Sequence, residues 1–344
     1  GHGDWDRFIA KNVGIITGDG RAIDGKHYFG TNDVHWKYDT DLVIYLACRT
    51  AQDLENGLAM KTLESGAQNV IGWLGPIRSD DAAYWVNYFS ASAGAGIGIY
   101  DAASKANSMT FPGDDDNDDE TNIRANAVFN HGNANMRLGK FKGQSSAKVN
   151  NINSNSVLED ERNILRNNKK ILKFNGIEEI VDIIKKYDST FKEEDYKITQ
   201  SDGMQTINIV TGEKTEQQVI DLHLKLGEFY TNAGYVVTIN NGIVEAIYDN
   251  TLPLKEKTKK ISDKSFIVDN SIKKKSNTYK EIAKEEVIKK VKDEDCSEYN
   301  IIKQRQNYYY DVNTGKKYSR VRTVVEMKFG DRNIKDYVTN LFEI

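Results

Sequence analysis

The apolar run Leu42-Val43-Ile44-Tyr45-Leu46-Ala47 ends at Cys48 and gives way at once to Arg49-Thr50. Such a run reads as a buried strand, so the thiol is delivered to the carboxyl edge of a sheet. A second reactive group stands in Gly1-His2-Gly3-Asp4, where glycine flanks an imidazole on both sides. A free thiol with a pKa of about 8.5 is mostly protonated at neutral pH, and a nearby imidazole activates it by taking the proton or pairing with the thiolate. His2 and Cys48 are therefore the candidate catalytic pair, the first as base and the second as nucleophile. The flanking glycines permit a tight turn, and the N–H groups of Gly3 and Cys48 are the expected donors to an oxyanion.

The spacing from His2 to Cys48 is close to the separation of roughly 50 residues between histidine and cysteine in caspases. Gly1-His2-Gly3 and Leu46-Ala47-Cys48-Arg49-Thr50 together resemble the caspase–hemoglobinase fold of caspases, legumain, clostripain, gingipains and CHAT-domain peptidases. The following elements agree in order. Leu54, Leu58 and Leu63 mark a helix that Gly66 ends, and Asn69-Val70-Ile71-Gly72-Trp73 reads as the next strand. Ser79 with Asp80 and Asp81 opens a helix whose apolar side carries Tyr84, Trp85, Tyr88 and Phe89. A small-residue helix through Ala102, Ala103 and Ala106 and a strand at Ala125–Phe129 complete the region.

The resemblance implies a cysteine endopeptidase acting on protein or peptide substrates, with no cofactor required. In that family the histidine follows the third strand of the sheet, so its place at residue 2 implies a domain lacking its first strands. Members that cleave after basic residues often carry an acidic residue two positions before the cysteine. Leu46 holds that position here.

Other groups compete for attention. His27, His35 and His131 are alternative bases for Cys48, and His223 sits in an alternating strand pattern. Cys296 lies among carboxylates in Asp293-Glu294-Asp295-Cys296-Ser297-Glu298, which raise a thiol pKa and make it a poor nucleophile. The acidic loop Asp114–Glu120 lacks the glycine of an EF-hand, yet its packed oxygens, led by Asp114, Asp116, Asp118 and Glu120, form a candidate calcium site. No zinc-type histidine or cysteine spacing occurs.

At 344 residues the chain has room for two or three domains. Residues 1–140 are net acidic and hold all 4 tryptophans, whereas residues 141–344 are slightly basic. Between them Gln144–Ser156 is polar, small and linker-like. The net charge of −4 argues against a nucleic-acid partner, and no stretch approaches the ~20 apolar residues of a membrane span. Abundant Lys, Asn and Ile point to a bacterial source.

Beyond the linker a weak repeat runs through the chain. Ile177–Lys186 and Ile282–Val291 are helical patterns, and each precedes alternating strands: 206–210, 219–226, 235–239 and 244–248 in the first unit, 307–312 and 320–327 in the second. Asn240-Asn241-Gly242 and Asn313-Thr314-Gly315 read as hairpin turns. Helix plus antiparallel sheet, twice, resembles PepSY or cystatin-like modules of secreted bacterial proteins. Tyr308, Tyr309 and Tyr310 are expected to pack on both faces of a strand.

The expected architecture is an α/β caspase-like parallel-sheet domain at 1–140, a linker at 141–156, and α+β modules at 157–262 and 263–344, the last PepSY-like. The expected setting is extracellular or at a bacterial cell surface. A non-catalytic surface or binding protein on the same scaffold is the alternative.

Overall fold

The structure is a computed structural model that describes residues 2–6, 11–16, 22–23, 40–47, 49–51, 57–75, 77, 79–109, 126–138, 162–166, 171–251, 266–293, 298–312, 314–329 and 332–344. Near the amino end β1 (His2–Asp6), β2 (Lys11–Ile16) and β3 (Ala22–Ile23) form a small sheet of their own. The main sheet contains β4 (Val43–Ile44), β5 (Asn69–Trp73), β6 (Asn126–Asn130), β7 (Tyr196–Asn208), β8 (Lys214–Leu226), β9 (Phe229–Asn240), β10 (Ile243–Asp249), β11 (Glu298–Asp311), β12 (Lys316–Phe329) and β13 (Arg332–Glu343). Among the described residues the helices are α1 (Leu58–Glu64), α2 (Ser79–Gly94), α3 (Ile99–Met109), α4 (Ile177–Tyr187), α5 (Asn270–Lys274) and α6 (Ser276–Asp293).

The first half is layered as an α/β unit. Alternation along β5 sends Ile71 and Trp73 to one face and Val70 to the other. Ile71 and Trp73 pack with Trp85 and Phe89 of α2, Ala102, Ala103 and Ala106 of α3, Val128 and Met204. Val70 packs with Ala59 and Leu63 of α1, Ala127, Phe129 and Ile207. Trp85 stacks on Phe89 at 5.1 Å, meets Trp73 edge-on at 5.1 Å, and donates its indole N–H to Asn107 Oδ1 at 2.7 Å. Tyr84, expected on the apolar side, is 59% exposed, because positions 82, 85, 89 and 93 already fill the buried stripe.

One expectation about the sheet is corrected. β4 and β5 are parallel, but β6 runs antiparallel to β5, so the sheet is mixed rather than parallel. The carboxyl-terminal strands join the same sheet. β7 pairs in parallel with β6, Ala127 opposite Gln205 through Asn130 opposite Asn208, and one sheet runs across the polar linker.

The helix-then-meander repeat is present at the level of elements. In α4, Ile180, Val181 and Ile184 face Ile220, Leu222, Tyr235, Val237 and Ile247, while Glu178 and Glu179 open the helix and Lys185 and Lys186 close it, favourable placements for the helix dipole. In the second unit Val287 and Val291 of α6 cover Val325 and Met327 of β12. Asn241 and Gly242 take φ values of 50° and 73°, the doubly left-handed turn that joins β9 to β10. The units meet through a short parallel pairing of β11 with β9, Tyr308 to Tyr310 opposite Phe229 to Thr231. Tyr308 and Tyr310 share a cluster with Phe229 and Phe266, and Tyr309 lies beside Tyr318 and Arg320, the two-sided packing expected of alternating residues.

Candidate functional site

The chain reverses just beyond β4. Tyr45 N–H donates to the Ile71 carbonyl at 3.0 Å, Arg49 N–H reaches out to Gly75 O at 3.0 Å, and Ala51 N–H returns to Trp73 O at 3.0 Å. Both flanks of position 48 are thus fastened to the carboxyl end of β5. Thr50 is wholly buried; its hydroxyl donates to Ala47 O at 3.2 Å and accepts the Trp73 N–H at 3.2 Å, and its carbonyl receives the Ala59 N–H of α1 at 3.1 Å. Gly72 leaves the reversal its room, since a Cβ there would stand 2.9 Å from the Ala51 methyl and 3.0 Å from Thr50 Oγ1. Arg49 takes a left-handed φ of 57°, a conformation that costs a non-glycine residue about 1–2 kcal/mol. Leu46, two positions before the cysteine, is 45% exposed.

His2 and Gly3 begin β1, opposite Ile16 and Ile15 of β2. Their backbone is extended where flanking glycines led us to expect a tight turn, because strand pairing in the small sheet holds it. Cys48, His27, His35, Cys296 and the acidic residues Asp114, Asp116, Asp118 and Glu120 lie outside the described residues. His131 does not approach the reversal. Its Nε2 lies 3.1 Å from Leu63 O and its N–H donates to Gln68 O at 3.2 Å, at the amino end of β5, whereas Arg49 and Gly75 lie beyond the carboxyl end. Five strand residues at about 3.3 Å each separate the two ends. His223 is buried in β8 opposite Gly234.

A second constellation carries no sequence motif. Where α3 crosses β8, β9 and β10, a cleft of about 410 Å³ opens. Glu245 of β10 collects its wall: Gln217 Nε2 donates to Oε2 at 3.0 Å, Asn240 Nδ2 to Oε1 at 3.1 Å, and the Tyr100 hydroxyl to Oε1 at 3.4 Å. Asn240 Nδ2 also donates to the Tyr100 hydroxyl at 3.1 Å, and Gln217 Nε2 to Ser104 Oγ at 3.1 Å. Burial, reinforced by the Glu245 carboxylate, pushes the Tyr100 hydroxyl well above its usual pKa. Three oxygens in or beside the wall, Gln217 Oε1, Thr238 Oγ1 and Asn240 Oδ1, are buried without a hydrogen-bond partner. These side chains come from strands and a helix up to 145 positions apart in the chain, so no local pattern announces them.

Comparison with family models, with curated proteins and with solved structures gives no match to this chain. Among the described residues no helix is long and apolar enough to cross a membrane, and no group of three His, Cys, Asp or Glu side chains is placed to hold a metal ion.

Proposed function

We propose that the chain carries the thiol centre of a cysteine peptidase, with Cys48 as nucleophile and His2 as general acid and base, cleaving peptide bonds through a thioacyl-enzyme. The reading rests on the reversal after β4. A non-glycine left-handed residue, Arg49, follows position 48 at the carboxyl end of the parallel β4–β5 pair, fixed by Thr50 and by the close approach of Gly72. Strain of this kind persists where the surroundings over-determine it, and such places cluster at functional sites. Open α/β sheets likewise bind ligands outside the carboxyl ends of their strands.

In the proposed chemistry the Cys48 thiolate attacks the peptide carbonyl carbon, and the carbonyl electron pair moves to oxygen, where the Gly3 and Cys48 amides receive it. Collapse of this intermediate breaks the C–N bond as the His2 imidazolium gives its proton to the departing amine. Water then loses a proton to His2, attacks the thioester and releases the carboxylic acid and the thiolate. On this reading the substrates are proteins or peptides outside a bacterial cell or at its surface. The carboxyl-terminal helix-and-strand units, which resemble PepSY or cystatin-like modules, dock substrate or restrain the site.

The test compares the full chain with its Cys48→Ala, His2→Ala and Cys296→Ala forms, using fluorogenic peptides and a thiol-directed peptidyl inhibitor located by mass spectrometry. Label at Cys48, lost only in Cys48→Ala, and a fall in hydrolysis of roughly 10²–10⁴-fold in His2→Ala support the reading. Undiminished hydrolysis in Cys48→Ala removes it. Absence of hydrolysis and of labelling in the unaltered chain favours a binding protein on the same scaffold.

A further inference from the structure

The cleft under α3 lies away from the reversal. Gly98 bridges Arg137, and the Met136 beside it receives a hydrogen bond from Asn69 Nδ2 at 3.6 Å, which sets this end of α3 at the amino end of β5. The reversal at Arg49 lies beyond the opposite end. We propose that this cleft binds a small uncharged polyhydroxylated ligand of the saccharide class, a function separate from the thiol centre.

The chemistry of the lining selects that class by elimination. Asp101 and Glu245 are balanced by Lys105 and Arg137, so the lining carries no net charge and favours neither a lone anion nor a lone cation, and the first amides of α3 are already taken, Ile99 N–H by Met136 O at 3.0 Å and Tyr100 N–H by Ala134 O at 2.9 Å. An apolar ligand would bury the polar side chains of the wall without replacing their hydration. A neutral, donor-rich and acceptor-rich molecule meets none of these penalties.

Two features favour many hydroxyl groups over a single charged pair. Thr238 is 1% exposed, lines the cleft, and has no partner for its hydroxyl, while Gln217 Oε1 and Asn240 Oδ1 stand unpaired in the adjoining network. A buried polar atom without a partner costs roughly 1–3 kcal/mol, a cost that a bound hydroxyl removes at Thr238, the one of the three that lines the cleft. Tyr100 and Tyr248 add aromatic surface on which the C–H face of a sugar ring can lie. The volume of about 410 Å³ falls within the range of roughly 300–1,000 Å³ common for small-ligand pockets.

The experiment is saturation-transfer NMR and calorimetry on the full chain with glucose, galactose, mannose, N-acetylglucosamine, maltose and cellobiose at millimolar concentration. Inorganic phosphate and glycylglycine serve as charged competitors. Binding of at least one sugar, weakened roughly 2- to 10-fold by Thr238→Val and again by the surface change Arg137→Ala, is the expected result. Circular dichroism establishes that each variant is folded, and because Arg137 is exposed its replacement keeps the test open even where Thr238→Val is not. No signal from any sugar overturns the proposal. So does equal binding in both folded variants, or occupation by phosphate or glycylglycine in place of sugar.

Discussion

The Thr50 hydroxyl accepts the Trp73 backbone N–H at 3.2 Å, so a side chain takes the place that a strand carbonyl holds in a regular ladder. This bond lets the chain leave β4, turn through a left-handed Arg49, and return beside β5 without orphaning a buried amide. The same hydroxyl donates back to Ala47 O, and the Thr50 carbonyl receives the Ala59 N–H in the first turn of α1. Thr50 therefore links the reversal to the start of the next helix.

Thr50→Val keeps the shape but removes the hydroxyl that accepts the Trp73 N–H and donates to Ala47 O. A loss of about 1–3 kcal/mol is expected in urea unfolding, and Thr50→Ser should recover most of it. A Thr50→Val protein as stable as wild type would mean that the hydroxyl holds nothing.

Gly72→Ala tests the close approach from the other side. The added methyl meets the Ala51 methyl and Thr50 Oγ1 at 2.9 and 3.0 Å, and neither is the end of a flexible side chain. Overpacking of this kind costs about 1–3 kcal/mol. Because the two residues touch, Gly72→Ala combined with Thr50→Val should depart from additivity, which a double-mutant cycle in urea measures.

Much of the local structure was legible because local chemistry dictates it. The strand at Asn69–Trp73, the helix under Ala102, Ala103 and Ala106, the amphipathic Ile177–Tyr187 and the Asn241-Gly242 turn follow from periodicity and from turn residues that tolerate positive φ. Strand order was not legible. Nothing in Asn126–Asn130 names Gln205–Asn208 as its partner, because pairing across so long a connection is decided by which apolar faces fit together. β13 was missed as well, since Arg332–Glu343 is too polar to announce an alternating strand, and it forms by pairing along β12. Of the two sites, the reversal had a local signature in the apolar run ending at Cys48. The cleft had none, because Tyr100, Gln217, Asn240 and Glu245 are assembled only by the crossing of α3 over the sheet.

Alkaline pH should weaken the fold. Burial is the main cause that raises the Tyr235, Tyr196 and Tyr100 hydroxyls, aided respectively by the carboxylates of Asp249, Asp188 and Glu245. The folded state then holds these protons more tightly than the unfolded chain, whose tyrosines titrate near their usual value of about 10. Their contribution is complete below that value and is lost as pH rises above it. Urea midpoints should fall above about pH 10, and the tyrosinate absorbance of these three residues should appear only with unfolding. Tyrosinate signal from all tyrosines in a still folded protein would refute the assignment.

The continuity of the sheet makes a last prediction. Ile207, on β7 beyond the polar linker, is buried among Val70, Ala127 and Phe129 of the first half. Ile207→Ala should cost about 2–5 kcal/mol, as a large-to-small change in a packed core does. If the halves share one core, the loss should spread: native-state hydrogen exchange would speed up at Val70, Ile71 and Val128 as well as along β7, because these amides open with the same unit. Independent modules would give the opposite pattern, with β5 and β6 protected as before and only the strands after Tyr196 exchanging faster. Exchange measured residue by residue in the wild-type and Ile207→Ala chains separates the two, and unchanged protection of β5 would overturn the shared core.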